Sequence, residues 1–412
     1  MANLSPDTGG SDQPDSRYAW WRLLIALGLA TIGGIGLWSV VVALPAIEAE
    51  FGVDRGSASI PYFATMIGFA IGGVMMGRLT DKLGVQAPVI LGSISIALGY
   101  VLASQATSMW QFILAQALLI GMFGSSATFG PLVADITLWF VRRRGIAVAI
   151  VASGNYLAGT IWPPLLQFAI DAFGWRAAHI GIGVFCLVTM LPLALALRKR
   201  TVSDEMEVTA SSRVLLAKIQ MSPSKIQALI VIAGFACCMA MAMPQVHIVA
   251  YCGDLGYGVA RGAEVLSLML GFGIVSRLLS GWIADRIGGL RTLLLGSSLQ
   301  CLALLFYIPF DGLTSLYVVS AMFGLSQGGI VPSYALIVRE YFPAREAGAR
   351  VSLILMVTIA GMAVGGWMSG EIYDLTGSYQ MAFLNGIAWN LLNMSIAFWL
   401  LAGRSKATPA AV

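Results

Sequence analysis

Apolar residues along the chain fall into twelve long blocks that are separated by shorter polar stretches. The blocks lie near residues 21–45, 57–77, 87–104, 110–137, 145–170, 178–197, 225–251, 262–283, 290–309, 314–338, 348–372 and 380–402. A helix of about 20 apolar residues crosses the hydrocarbon core of a bilayer. The pattern therefore predicts an all-α membrane protein with twelve transmembrane helices.

Composition supports this interpretation. Of the 412 residues, 58% are hydrophobic and only 11% are charged, whereas soluble domains carry about 25% charged residues. The polar stretch from Met1 to Ser16 lacks the basic start and short apolar core of a cleaved signal peptide, so we expect the first block to be a retained helix. All five cysteines fall inside apolar blocks and are predicted to be small buried side chains: Cys186, Cys237, Cys238, Cys252 and Cys301.

The net charge of +4 is small, but the basic residues are unevenly placed. The termini and the loops after even-numbered helices hold 20 of the 24 Lys and Arg residues. The opposite loops hold Arg55, Arg176 and Arg261, and Arg277 lies inside the eighth block. Because basic loops remain in the cytoplasm, we expect a multi-pass protein of the inner (plasma) membrane with both termini cytoplasmic. The chain has no basic stripe interleaved with aromatic residues, so we do not expect it to bind nucleic acid.

An internal repeat divides the chain. The octet that starts at Gly77 has the same glycines, aspartate and basic residue, at the same spacing, as the octet that starts at Gly281. Trp139-Phe140 and Tyr341-Phe342 lie at nearly the same separation. Duplication of a six-helix unit explains both matches. The predicted organisation is a tail at 1–20, a six-helix bundle at 21–197, a linker at 198–224, a second bundle at 225–402 and a tail at 403–412.

The first octet resembles the signature between helices 2 and 3 of the major facilitator superfamily, and the second octet resembles its degenerate copy. The resemblance implies twelve helices in two pseudo-symmetric bundles and transport by alternating access. It also implies a conformational-switch motif of Gly77, Arg78, Asp81, Gly84, Gly281, Asp285 and Arg286. We expect Gly77 to permit close helix packing, and Arg78 and Asp81 to form ion pairs across the cytoplasmic seam. The alternative is that these charges belong to a solvated loop.

Three segments also resemble the branch of monocarboxylate transporters and oxalate/formate exchangers. These are residues 139–147 leading to Gly154 and Gly159, residues 244–256, and Arg277 followed by Gly281. Arg277 matches the substrate-binding arginine of that branch. The chain departs from the branch at Gly273, where animal members have an aspartate, and in helix 1, which has no lysine. Residues 351–368 also lack the second cation of the oxalate exchanger.

Arg277 stands alone in an apolar helix, eight residues before Asp285, which places it roughly 12 Å from the loop. A guanidinium at that depth normally faces a cavity or a partner. A carboxylate can bind it through two parallel hydrogen bonds, so we predict that Arg277 binds an organic anion. The alternatives are a pair with Asp135 and another structural role. We expect Asp135 to pair with Arg142 or Arg78 rather than to bind substrate.

Six further side chains are predicted to line the substrate site: His247, Tyr334, Asn155, Tyr156, Phe129 and Tyr62. His247 can hydrogen-bond to substrate or carry a proton, and its alternative is a packed histidine bonded to a backbone carbonyl. The four tyrosine and asparagine side chains line the cavity or join helices, and Phe129 walls the site or packs in the core. We expect His179 to be structural.

The sequence shows no nucleotide loop, metal cluster or nucleophile–base arrangement, so we expect a protein that is not an enzyme, with no cofactor and no metal. The predicted function is secondary active transport of small organic monocarboxylates, by proton symport or by exchange (antiport), with a monomer as the transport unit. Three alternatives remain at this point. These are dicarboxylate/formate-type exchange, efflux of another small molecule, and a non-transporting membrane sensor.

Overall fold

Twelve long helices make up the part of the chain that the structure describes. The computed structural model describes residues 15–140, 143–198, 222–342 and 344–405. The N-terminal half contains α1 (Arg17–Phe51), α2 (Arg55–Leu83), α3 (Gln86–Ser104), α4 (Met109–Trp139), α5 (144–173) and α6 (175–196). The C-terminal half contains α7 (Pro223–Asp254), α8 (Val259–Ile287), α9 (Gly289–Phe306), α10 (313–341), α11 (Ala344–Thr376) and α12 (Tyr379–Ser405).

The predicted twelve-helix fold is confirmed. Within the described ranges, 11 helical segments are long and apolar enough to cross a membrane. One of them, Ile146–Ala196, has 51 residues and breaks at Gly174, whose φ of 78° and ψ of 156° are not helical. It therefore contains two helices, α5 and α6. The predicted linker at 198–224 and the two predicted tails lie largely outside the described residues.

An even number of helices places Arg17 and the end of α12 on the same side of the bundle. We call this side the terminal face, and the side where α1 ends and α2 begins the distal face. At the terminal face, α2 and α8 end at the second glycine of each octet, Gly84 and Gly288, with φ of 80° and 83°. Only glycine adopts such φ values without steric cost. The repeated octet therefore contains, in both halves, the glycine at which the helix ends.

Helices α4 and α10 are interrupted at matching positions of the two halves. In α4, residues 115–124 are π-helical and residues 125–128 form a 3-10 turn before the helix resumes at Gly130. In α10, the helix stops at Gln327 and resumes at Ile330. Irregular backbone at membrane depth requires protein partners for its polar groups. At the break in α4, Oγ1 of Thr128 donates to the Ser125 carbonyl oxygen, and at the break in α10, Oγ of Ser333 donates to the Gly329 carbonyl oxygen, each at 2.8 Å.

The two halves meet along α2 and α11 and along α5 and α8. Two glycines allow α11 to approach α2 closely. A Cβ atom at Gly366 would lie 2.9 Å from the Tyr62 ring, and one at Gly370 would lie 2.9 Å from the Arg55 carbonyl oxygen. Small residues of this kind let transmembrane helices pack backbone to backbone. The α2–α11 contact therefore closes the distal half of the interface.

The switch motif behaves differently from the expectation. A Cβ atom at Gly77 or Gly281 would meet nothing within 4 Å, so the predicted close packing at Gly77 is wrong for this conformation. Arg78 is exposed, and Arg286 donates to its own helix at the Trp282 carbonyl oxygen, 2.9 Å away. The side chains of Asp81 and Asp285 lie outside the described part, so the ion pairs across the seam stay a prediction.

Candidate functional site

Arg277 lies where helices from both halves meet. Its Nη1 donates to the carbonyl oxygen of Ala152 on α5, 2.7 Å away. Its Nε donates to the carbonyl oxygen of Gly328, 3.4 Å away, at the break in α10. The guanidinium carbon also lies 4.5 Å from the centroid of the Tyr156 ring on α5. Two backbone carbonyls and one aromatic face therefore fix the direction of the guanidinium.

The positive charge of Arg277 is not neutralised by a described carboxylate. Within the described ranges, no Asp or Glu oxygen lies within 4.0 Å of its guanidinium nitrogens. An unpaired arginine in a membrane interior costs about 2.5–3.5 kcal/mol even on the mildest scales. The site thus holds a cation that an anionic ligand can neutralise.

Asp135, the acid considered as a partner for Arg277, is paired elsewhere. Its two carboxylate oxygens accept hydrogen bonds from Nε and Nη2 of Arg22, at 2.7 and 2.8 Å. Arg22 is buried on α1, with its guanidinium carbon 4.7 Å from the centroid of the Trp139 ring. The expected pairing of Asp135 with Arg78 is therefore wrong, and the pairing with Arg142 stays a prediction because Arg142 lies outside the described residues.

The departure at Gly273 has a steric reason. Gly273 lies one helical turn before Arg277, and a Cβ atom there would lie 2.7 Å from the Tyr156 ring. Any side chain at position 273 would displace this ring from its place beside the guanidinium. Glycine at 273 and the aromatic ring at 156 therefore belong together, and Tyr156 is a wall of the Arg277 site.

Two buried glutamines adjoin this wall, and the sequence analysis missed both. Nε2 of Gln245 on α7 donates to Oε1 of Gln327 on α10. Both side chains are buried, and Nε2 of Gln327 has no hydrogen-bond partner. This nitrogen lies 3.6 Å from the position of a Cβ atom at Gly273. The sequence signal that could have identified Gln245 and Gln327 is a polar amide side chain inside an apolar block.

Asn155 lies beside the same site. Its backbone oxygen accepts a hydrogen bond of 3.2 Å from Nε1 of Trp38 on α1. Its side-chain oxygen Oδ1 is buried without a partner. Asn155 and Tyr156 are thus the two predicted lining residues on the same turn of α5.

Phe129 lies at the break in α4, and its ring packs on Phe69 with centroids 6.3 Å apart.

His247 and Tyr62 are brought together, but away from Arg277. Nε2 of His247 donates to the carbonyl oxygen of Gly366 on α11, 2.7 Å away, which leaves Nδ1 buried without a partner. The Tyr62 ring contacts the same glycine. Both side chains therefore belong to the packing of α2, α7 and α11. His247 has the carbonyl contact of the packed-histidine alternative.

Tyr334 lies within the C-terminal half. Its hydroxyl donates to Oδ1 of Asn393 on α12, 2.8 Å away. Nδ2 of Asn393 in turn donates to Oγ of Ser297 on α9, 2.8 Å away. This chain of hydrogen bonds joins three helices, so Tyr334 has the contacts of a helix-joining residue. His179 likewise has structural contacts, since its Nδ1 bonds to the Trp175 carbonyl oxygen at 2.8 Å.

A charged network centred on Arg55 closes the distal face, and the sequence analysis counted Arg55 only as a loop charge. Arg55 is 6% exposed. Its Nε donates to Glu48 at 2.6 Å, its Nη1 to Asp254 at 3.0 Å, and Nη1 also to the hydroxyl of Tyr379. Its backbone N–H donates to Asp374 at 3.0 Å. Arg55 and Glu48 belong to the N-terminal half, and the other three residues to the C-terminal half.

Two six-helix halves with a polar site between them are one of the standard architectures of a membrane transporter. The chain matches the Major Facilitator Superfamily over residues 26–317 and 278–411. It therefore belongs to the Major Facilitator Superfamily, as the first octet indicated.

The relatives include monocarboxylate transporters and efflux proteins. The chain is 27% identical to Monocarboxylate transporter 13 of Bos taurus over 398 residues, which cover 95% of this chain and 91% of the relative. It is 27% identical to Monocarboxylate transporter 11 of Mus musculus, with coverage of 92% and 86%. It is 24% identical to the Agnestins efflux protein AgnL12 of Paecilomyces divaricatus, with coverage of 97% and 91%. The resemblance to the monocarboxylate branch is thereby confirmed.

Solved structures share the fold. A bacterial homolog of the human lysosomal transporter Spinster, inward-facing and unoccupied, superposes with a TM-score of 0.71 at 13% identity, covering 96% of this chain and 99% of that one. The nucleoside transporter NupG gives a TM-score of 0.72 at 14% identity, with coverage of 92% and 99%. At these identities the likeness concerns the fold alone.

Proposed function

We propose that this protein is a secondary active transporter of small organic monocarboxylates and that Arg277 binds the carboxylate. The observation that carries the proposal is the guanidinium of Arg277, which lies between the two halves without a described carboxylate within 4.0 Å. A substrate carboxylate supplies the missing charge. It can form two parallel charge-assisted hydrogen bonds with Nη1 and Nη2. The names of the relatives from the monocarboxylate branch agree with this chemistry.

The contacts of Arg277 suggest how binding is coupled to movement. Its Nη1 holds the Ala152 carbonyl oxygen of the N-terminal half, while its Nε holds the Gly328 carbonyl oxygen of the C-terminal half. A carboxylate that binds Nη1 competes with Ala152 and loosens the contact between the halves. The empty site is positive and the loaded site is neutral. Because a net charge in a membrane interior is costly, the loaded site exchanges between the two faces more readily.

The orientation follows from charge. With 20 of 24 basic residues in the termini and the loops of one side, we place the terminal face in the cytoplasm and the distal face outside the plasma (inner) membrane. Residues 21–197 and 225–402 act as the two moving bundles, joined by the linker at 198–224. The transport unit is a monomer. In this orientation the Arg55 network closes the outer side.

The test is uptake of labelled lactate, pyruvate and oxalate into proteoliposomes, with and without an inward proton gradient. Arg277→Gln removes the charge and keeps much of the side-chain volume. Since hydrogen bonds to charged groups contribute about 1.5–3 kcal/mol, we expect the KM for lactate to rise roughly ten- to hundredfold. The matched control is Arg261→Gln on the same helix, an exposed arginine paired with Glu264 at 2.8 Å, which should transport normally.

The outcomes separate the candidates. Unchanged lactate uptake in Arg277→Gln would refute the assignment of the carboxylate to Arg277. A response of uptake to the proton gradient indicates symport. Faster uptake when the vesicles are preloaded with an unlabelled organic acid indicates exchange. Preference for oxalate would favour the dicarboxylate alternative.

Efflux is a second candidate function, because the relative AgnL12 is named an efflux protein and covers 97% of this chain. Energy-dependent accumulation of a larger organic compound in inside-out vesicles, without carboxylate uptake, would support it.

A further inference from the structure

We infer that Cys237, Cys238 and Met241 of α7 bind a soft monovalent metal ion such as Cu(I). From the sequence we expected no metal, and only small buried side chains at these cysteines. The observation that carries the inference is a pair of adjacent thiols on which buried polar side chains of three other helices converge. The site is independent of the proposed carboxylate transport.

Sulfur-containing side chains are concentrated in the middle of α7. Five of the seven residues from Cys237 to Met243 are cysteine or methionine, whereas the whole chain has 5 Cys and 19 Met among 412 residues. All five are at most 2% exposed: Cys237, Cys238, Met239, Met241 and Met243. Thiolate and thioether sulfurs are the soft ligands that select Cu(I). This segment of α7 therefore offers an unusual density of such ligands.

Three of these sulfurs belong to one side of the helix. With 3.6 residues per turn, positions 237, 238 and 241 fall within an arc of about 100°. Residues three and four apart in a helix have Cβ atoms about 5–6 Å apart, and the flexible methionine side chain adapts to such gaps. The two thiols interact with each other directly. Since a bond from a metal ion such as Zn²⁺ to thiolate sulfur is about 2.3 Å long, the three sulfurs can close around one ion.

Polar side chains of three other helices surround the thiols. Sγ of Cys237 donates to Oε1 of Gln300 on α9, 3.9 Å away, and it also contacts the hydroxyl of Tyr334 on α10. The thiol of Cys238 is hydrogen-bonded to Thr358 on α11. These three partners are at most 3% exposed. Hydrogen-bond partners of this kind orient the ligands of a metal site, so the thiol pair has the surroundings that a metal ligand needs.

Gln300 points most directly to an ion. Its Nε2 is buried without a hydrogen-bond partner, while its Oε1 accepts from the Cys237 thiol. A thiol donates its proton to an oxygen, whereas a thiolate has only lone pairs and calls for an N–H donor. Half a turn of the amide exchanges its oxygen and its nitrogen. Gln300 can therefore serve the thiol without the ion and the thiolate with it, which gives the free Nε2 a partner.

The ligand set selects the ion. Binding of Cu(I) releases the two thiol protons and leaves two thiolates, one thioether and a net charge of −1. Among the described residues, no group of three His, Cys, Asp or Glu side chains could hold a metal ion. The third ligand is thus a methionine, which favours Cu(I) over harder ions. Tyr156 lies within electrostatic range of both cysteines and of Arg277, so the cationic guanidinium is placed to offset the charge.

The experiment measures Cu(I) binding to the purified full-length protein in detergent, without oxygen, by competition with the colorimetric chelator bicinchoninate. The variants are Cys237→Ser, Cys238→Ser, Met241→Leu and Gln300→Leu. Cys186 and Met190 on α6 provide a matched control, because they are equally buried and have the same four-residue spacing but no second thiol beside them. Thermal unfolding of each variant shows that it is folded.

We expect the wild type to bind one equivalent of Cu(I) and to show a shell of sulfur neighbours by X-ray absorption, a measurement that needs no variant. Gln300→Leu should lower the affinity about tenfold, within the range for residues that hold metal ligands, and each cysteine variant at least about a hundredfold. Met241→Leu should remove one sulfur from the shell. Cys186→Ser and Met190→Leu should bind as the wild type does.

Absence of Cu(I) binding by the folded wild type, or a shell of nitrogen and oxygen neighbours, would overturn the inference. It would also fail if Cys237→Ser and Cys238→Ser bound as tightly as the wild type, or if the two α6 variants lost as much affinity. None of these outcomes bears on the proposed carboxylate transport, which Arg277→Gln tests separately.

Discussion

Arg55→Gln is expected to open the distal face. The Arg55 side chain joins the two halves through Asp254 and Tyr379, whereas its bond to Glu48 stays within the N-terminal half. The contacts of Asp374 use the backbone N–H groups of Arg55 and Gly56 and therefore survive the substitution. The variant removes the charged links between the halves and leaves the backbone ones.

The magnitude follows from those two links. Hydrogen bonds to charged groups contribute about 1.5–3 kcal/mol each when buried, but the side chain of Asp254 is 35% exposed, and solvent screens such a pair. Allowing about 1 kcal/mol for each link gives about 2 kcal/mol. Since 1.4 kcal/mol corresponds to a tenfold change in an equilibrium constant, the closed-to-open ratio should fall roughly thirtyfold.

The assay is a distance measurement between two spin labels at the distal face, in the N-terminal and C-terminal halves. Thr107→Cys and Leu375→Cys provide exposed attachment sites, with Leu375 84% exposed, and the native cysteines are buried. Arg55→Gln should add a population at longer distance. The control is Arg176→Gln, because Arg176 pairs with Glu50 at 2.6 Å within the N-terminal half. Identical distance distributions for wild type and Arg55→Gln, or an equal change in the control, would refute the reasoning.

Two further predictions concern stability and packing. Removing one partner of the buried ion pair, in Arg22→Gln or Asp135→Asn, should lower the free energy of unfolding by about 3–5 kcal/mol, measured by thermal or denaturant unfolding in detergent. The exposed Arg261→Gln should change it by less than about 1 kcal/mol, and a similar loss in all three variants would contradict the prediction. Gly370→Ala should open the distal face in the spin-label assay, since its Cβ would lie 2.9 Å from a carbonyl oxygen of α2. A Cβ atom at Gly73 would meet nothing within 4 Å, so Gly73→Ala should leave the distances between the spin labels unchanged.

The sequence alone determined the fold. Twelve apolar blocks predict twelve helices, because the need to cross about 30 Å of hydrocarbon is met by each segment on its own. The recurrence of the octet predicts two halves, and Gly84 and Gly288 end equivalent helices with positive φ angles. Arg277 could also be singled out from the sequence, since an isolated arginine in an apolar helix is costly wherever that helix packs.

The tertiary structure decided which side chains meet. Asp135 pairs with Arg22 rather than with Arg78, Tyr334 bonds to Asn393 inside one half, and Gln245 holds Gln327 next to Gly273. The helices are apolar around most of their circumference, so no amphipathic stripe in the sequence marks the face that turns toward a neighbour. In lipid, that face is chosen by close packing and interhelical hydrogen bonds. Both depend on residues far apart in the chain, which is why the Arg55 network and the glutamine pair could be recognised only once the helices were assembled.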